Sequence, residues 1–259
     1  MDAKLVSYTR NIILRLYNDG QPNKAALAGI RTATTLNSPR AQSLWPVMLA
    51  YLPEGMLSRS GQPTKEETAI YTAVRLYALH QQSIERCVYG SSRDIQGNSD
   101  RTLSDVVAKI RQRSGLATKE EIAVYTAVQR YIVFQQEIDK SQPQSDEEGD
   151  ALAKLPQGSP LFAALSRLRA DPKKQVALDR RIQPILVSTD FSTIAHALSH
   201  LVGMLKSRTN LIHVDYAQLA QDLYQVQLGY AQANRVRLRW GQQYFYIASN
   251  QEQTEGKNN

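Results

Sequence analysis

Cysteine is almost missing from these 259 residues: Cys87 stands alone. A single thiol excludes an intramolecular disulfide and a Cys-rich zinc site. Long apolar runs are missing as well. No stretch approaches the roughly 18 consecutive apolar residues of a membrane span, and Arg10 and Arg15 interrupt what would have to be the uncharged core of a signal peptide. The expectation is a cytoplasmic protein. Glycine and proline are modest and β-branched alternation is scarce, which favours helices over strands. The familiar catalytic patterns are absent too: there is no G-x-S-x-G, Walker or dinucleotide-binding loop. His196 and His200 stand four apart, as helical metal ligands do, yet Ala197 fills the place of the glutamate in H-E-x-x-H. Only His80, His213 and Cys87 remain as further soft ligands, with no supporting spacing. Glu66-Glu67 and Glu120-Glu121 are paired acids, but a first helical turn favours carboxylates for its dipole. No catalytic residue, metal or cofactor is expected.

What the chain does have is helical periodicity and an uneven charge. Its net charge is +7. Residues 151–249 hold twelve Lys/Arg against five acids, 12 − 5 = +7, so the remainder sums to zero. A basic half on a neutral whole is an electrostatic footprint for a polyanion. Residues 85–150 run the other way, with nine basic and twelve acidic residues, 9 − 12 = −3. An acidic stretch is a poor lining for a nucleic-acid groove, so it is expected to decorate the surface or meet a neighbouring subunit.

Along the chain, Leu5, Ile12, Ile13 and Leu16 mark a first helix that stops at Asn18-Asp19-Gly20. A second starts near Asn23 and turns Ala26, Leu27, Ile30 and Ala33 inward. Ser38-Pro39 opens a third, with Leu44, Trp45, Met48, Leu49 and Leu52, which Pro46 should kink or split. Then a segment repeats. Residues 59–84 return 54 positions later as 113–138, each copy reading Arg-Ser-Gly-x-x-Thr-Lys-Glu-Glu-x-Ala-x-Tyr-Thr-Ala-Val. Thr64 with Glu67, and Thr118 with Glu121, are capping boxes that start a helix in each copy. Two copies are too few for a solenoid, so a tandem duplication inside one domain is expected. Tyr71, Tyr77, Tyr125 and Tyr131 fall at core spacing.

Residues 85–101 read as loop and 141–150 as an acidic linker. Ser159-Pro160 caps a helix bearing Leu161, Leu165 and Leu168. Val176, Ile182 and Ile185 pattern the next, which Pro184 should break. Ile194, Leu198, Leu201, Val202 and Leu205 form an unbroken stripe. Asp215 opens a helix with Tyr216, Leu219, Ala220, Leu223 and Val226 on one face. After an interval at 229–234 comes the last, with Val236, Trp240, Tyr244 and Ile247 inward and Arg235, Arg237 and Arg239 making a cationic ridge. The fold class expected is all-α, in two helical lobes (1–150 and a basic 151–249) with a disordered tail at 250–259.

The run DYAQLAQDLYQVQ…ANRVRLRWGQQYF resembles the C-terminal signature of CasB, the small-subunit family of the type I-E CRISPR surveillance complex, Cascade. SPRAQSLWPVMLAYLP, AIYTAVRLYALHQQ and ALDRRIQPIL resemble earlier blocks of that family, in its order. Together they cover most of the chain outside roughly 85–158, which reads as a departure from the family pattern. The resemblance implies a non-catalytic, RNA- and DNA-binding subunit in antiviral defence. It would hold guide RNA (crRNA) and target DNA by their phosphate backbones, beside the backbone and large subunits and a second copy of itself, with no membrane. Residues carried over are Arg180 and Arg181 of the DRR block, and Arg235, Arg237 and Arg239 of NRVRLRWGQQYF. Lys65 heads the YTAV helix, where the family tends to place a basic residue; Lys24, Arg31 and Arg40 are chosen on charge alone. The alternative is a stand-alone helical DNA-binding transcription regulator, its Arg235–Arg239 helix in a major groove. Cations on rigid helices position a phosphate backbone without reading bases, which suffices where pairing reads the sequence.

Overall fold

A computed structural model describes residues 2–17, 21–92, 156–206 and 211–245. Nine α-helices run through them: α1 Asp2–Tyr17, α2 Lys24–Thr32, α3 Trp45–Tyr51, α4 Lys65–Gln81, α5 Leu161–Arg169, α6 Pro172–Val187, α7 Phe191–Lys206, α8 Tyr216–Val226 and α9 Tyr230–Phe245. Two 3-10 turns, Pro39–Leu44 and Glu54–Met56, flank α3. Among the described residues extended backbone makes only isolated bridges, so the class is all-α as expected.

The helix at the centre is α4. Thr64 accepts from the Glu67 N–H at 3.1 Å, and the Glu67 carboxylate accepts from the Thr64 N–H at 2.7 Å, the reciprocal cap expected from the Thr-x-x-Glu spacing. The second Glu67 oxygen takes the Ser58 N–H, which lets this carboxylate sit buried with both oxygens engaged. Beyond the cap, Ala69, Ile70, Ala73, Val74, Leu76, Tyr77 and Ala78 are fully enclosed. A helix apolar on all sides must be covered on all sides, and α1, α2, α7 and α8 do so. It ends at Gln81, whose buried amide donates to the Ile84 and Arg86 carbonyls and accepts from the Val88 N–H. One side chain therefore shapes the whole 82–88 loop.

His80 is buried in the last turn of α4, its Nδ1 3.0 Å from the Tyr216 hydroxyl. Burial, helped by His213 and Lys206, pushes its pKa down to about 4. The unfolded chain takes up this proton near 6.5 and the folded one only near 4. Stability is therefore complete above 6.5 and is lost as pH falls from 6.5 towards 4, by about 3 kcal/mol from this residue. His213, also lowered by burial, acts in the same direction. Urea unfolding at pH 7.5, 6 and 5 should show the decline. His80→Gln should flatten it while lowering stability throughout; an unchanged slope in that variant would assign the effect elsewhere.

Three short segments clasp below α4. Val88 and Gly90 bond to Val214, Ser91 to Pro156 and Gly158, and Ser159 to His213 and Asp215, giving parallel bridges Tyr89–Val214, Ser91–Gln157 and Ser159–Val214. Gly90 and Gly158 lie backbone to backbone, too close for a Cβ on either.

Several expectations need correction. Among the described residues, those up to 91 and those from 156 on belong to one compact unit. The reason is that α4 and α1 pack on α8, so both ends of the chain share a core. Within 92–155, only Ser92 belongs to the described residues, so the second repeat copy and the acidic linker lie outside them, as does the tail. Pro184 does not break α6, which runs on to Val187; the proline is exposed, while Ile182 and Ile185 on either side are buried and hold the helix to its neighbours. Val176 is exposed and Leu178 takes its place in the core. Trp45 and Leu49 face solvent in part. Pro46 does split its helix, into the Pro39–Leu44 turn and α3. The interval before α9 is shorter than expected, Gln227 to Gly229, because Gly229 at φ +143° turns the chain in one residue.

Candidate nucleic-acid interface

The basic half rests on α5, α6 and α9, which pack on one another. Trp240 anchors them. It is fully buried, stacks on Phe162 of α5 at 4.7 Å, and donates its indole N–H to Asp222 of α8 at 2.7 Å. Asp222 also accepts from Arg239 and from Gln218. Burial pushes this carboxyl up, while Arg239, Trp240 and Gln218 pull it back towards the ionised form. A second cluster joins α5, α6 and α9. Arg169 forks onto Asp179 at 2.9 and 3.4 Å, Tyr244 donates to the same carboxylate at 2.7 Å, and the guanidinium lies 5.6 and 5.3 Å from the Tyr244 and Phe245 ring centres. Arg169 beside it holds the Asp179 carboxyl below its ordinary value.

These pairings decide which cations reach solvent. The ridge expected on α9 is not continuous. Arg237 is buried, with its guanidinium donating to the Ser188 carbonyl at 2.7 Å and to Ala233 at 3.3 Å. Arg239 closes on Asp222 at 2.6 Å, with its side chain 43% exposed. Only Arg235 of the three is exposed and, among the described residues, outside any ion pair. Arg180 and Arg181 are both exposed on α6, Arg181 bonding back to the Ala177 carbonyl. Arg167 and Lys173 are exposed near them in sequence. Neither sits in a motif of its own; the only signal for them is the basic surplus of 151–249.

The N-terminal choices lie on other elements. Lys65 is exposed at the start of α4, and Gln227 from the α8–α9 turn bonds its carbonyl at 3.1 Å. That contact brings Lys65 beside the start of α9, across 162 residues of chain. Lys24 is exposed at the head of α2, Arg31 half-buried in its last turn, and Arg40 exposed in the adjoining 3-10 turn. His196 and His200 are exposed with their Nε2 atoms 3.1 Å apart. Among the described residues no group of three or more His, Cys, Asp or Glu could hold a metal, and no helix is long and apolar enough to cross a membrane. Cys87 is half-buried and burial pushes its thiol up, away from a nucleophile's range.

Helices braced by buried carboxylates, with arginines left over on their outer faces, define an all-α protein whose surface chemistry is cationic. Residues 99–245 match the model of the CRISPR-associated protein Cse2 family, and the chain belongs to that family. A similar solved chain is CasB from Thermobifida fusca, 19% identical, covering 95% of this chain and 97% of its own, with a TM-score of 0.49. No curated protein matches. The match corrects one expectation: it begins at 99 and so includes the stretch read as a departure from the family. It takes in the second repeat copy; the first copy, whose helix α4 packs on α7 and α8, precedes it. The two copies share the block, so the pattern occurs twice in the chain.

Proposed function

We propose that this chain is the small, non-catalytic subunit of a type I-E CRISPR surveillance complex, Cascade, in antiviral defence. It clamps nucleic-acid backbone, steadying the guide RNA–target DNA duplex and the displaced strand. The observation that carries the reading is the set Arg180, Arg181 and Arg235, exposed on two packed helices of a segment with net charge +7. Lys65, Lys24, Arg31 and Arg40, on other elements, are further candidates for backbone contact, whereas Arg237 and Arg239 brace the helices. The transcription-regulator reading requires α9 to offer Arg235, Arg237 and Arg239 together to a groove, but Arg237 is buried against the Ser188 carbonyl and Arg239 is held by Asp222.

Co-expressed with the other Cascade subunits and a guide RNA, the chain should elute with them; running alone from that lysate would defeat the assignment. Replacing Arg180, Arg181 and Arg235 by Ala should weaken binding to every DNA or RNA sequence. It should also reduce the slope of log affinity against log salt by about 0.9 for each duplex phosphate no longer neutralised. Lys109, Arg111 and Arg113 changed together should do much less, because carboxylates surround them in sequence. Equal losses, or strong preference for one palindrome, would overturn the clamp.

A further inference from the structure

Tyr230, the first residue of α9, is 74% exposed, well beyond the 37% of Trp45 and the 45% of Phe245. It is not loose. Two turns on, the Arg237 guanidinium sits 5.8 Å from the ring centre, within cation–π range. That guanidinium is itself fixed by the Ser188 and Ala233 carbonyls. One face of the ring is therefore backed by a buried cation, and the exposure leaves the other face open. Arg237 thus has a use that the cationic-ridge expectation missed: it stiffens an aromatic plate.

We propose that Tyr230 is a stacking platform for an unpaired nucleobase, so that the surface grips single-stranded nucleic acid more tightly than duplex. The inference rests on the backbone-clamp reading above and adds to it a residue that contacts a base. An exposed aromatic plate on the helix that also carries the exposed Arg235 offers stacking and a phosphate contact, the two elements by which proteins bind single strands regardless of sequence, since every base has a π-face. Lys65, exposed at the start of α4, has its carbonyl held by Gln227, three residues before Tyr230 in the chain. A duplex keeps its base faces stacked inside and offers the ring nothing. An apolar protein partner would gain from the open ring but not from Arg235 on the same helix or the net charge of +7 over residues 151–249, which favours nucleic acid.

The test uses the full chain and fluorescence anisotropy at one salt concentration. Its probes are a 20-nucleotide oligodeoxythymidylate, the matching oligouridylate and a 20-base-pair duplex. Tyr230→Ala should weaken both single strands by roughly tenfold and leave the duplex within about twofold, with the salt slope unchanged. Tyr230→Trp should restore single-strand affinity, because stacking needs the ring and not the hydroxyl. Weakening on only one of the two strands would assign the plate to DNA or to RNA. Equal weakening on duplex and single strands, or none on any probe, overturns the inference. So does a Tyr230→Ala variant that binds all probes normally but fails to enter the Cascade complex, since the ring would then be covered by protein. Binding abolished in the Arg180/Arg181/Arg235 variant with Tyr230→Ala silent sinks the plate alone. A wild-type chain that binds none of the probes sinks the clamp with it.

Discussion

Exchanging Lys65–Gln81 for the sequence of residues 119–135 is expected to abolish cooperative folding of the unit built from 1–91 and 156–259. Ten of the seventeen residues are identical between the copies, including the Lys-Glu-Glu run after the cap and Tyr-Thr-Ala-Val. Four of the seven differences, at 70, 76, 78 and 80, fall where α4 is buried. Leu76, fully enclosed, would become the arginine found at 130, Ala78 the isoleucine at 132, and His80 the phenylalanine at 134. Leu76→Arg alone removes a buried aliphatic side chain and places an unpaired charge between α4's neighbours, together costing about 5 kcal/mol or more. A domain's whole stability is about 5–15 kcal/mol. A thermal melt by circular dichroism should show no transition for the full exchange. An exchange that keeps Leu76, Ala78 and His80 should still melt cooperatively. If the full exchange melts within a few degrees of the native chain, the groove around α4 does not discriminate and the two copies are interchangeable.

Gly158→Ala should be the other severe change. A Cβ at 158 would overlap the carbonyl of Gly90, and one at 90 would lie 2.8 Å from the Gly158 Cα and the His213 Cβ. Backbone cannot swing aside as the end of a flexible side chain can. The substitution must part the clasp that ties 88–91, 156–159 and 213–215, and should cost about 3 kcal/mol or more. Gly203→Ala is the contrast: it lies within α7, exposed, with nothing within 4 Å of an added Cβ. There alanine should raise stability by about 0.5–1 kcal/mol. Urea unfolding of the two variants compares them directly, and a small effect at 158 would mean that the close approach of the two glycines is not structural.

Much of the helix plan could be read from residue order because its causes are local. The Thr64–Glu67 cap, the Asn23 and Asp215 starts, and the Ile194–Leu205 stripe each depend on residues within a few turns. The fate of the arginines depends on residues far away. Nothing near Arg239 announces that Asp222 on another helix will capture it, nor does Arg237 signal that a carbonyl 49 positions earlier awaits its guanidinium. Periodicity separates an inward side from an outward one, but a long cation at the edge of the stripe can fold either way. The shared core is equally non-local: the acidic linker marks a change in composition, while α1 and α4 meet α8 from the far side of it in sequence. Tyr230 and Arg237 stand two turns apart on one helix, a legible spacing, but nothing local announces that Ser188 fixes the guanidinium there.

The position of α8 late in the chain also sets an order of events at the ribosome. Helix α4 needs cover on every side, and part of that cover ends at Val226, 226 − 81 = 145 residues after Gln81. At about 5–20 residues per second, roughly 7–30 s pass before it is made. Through that interval Ile70, Val74, Leu76 and Tyr77 have no finished place to go. The nascent chain therefore carries an all-round apolar helix unprotected while more than half of the protein is still being translated, and holdase chaperones have a defined window in which to bind it.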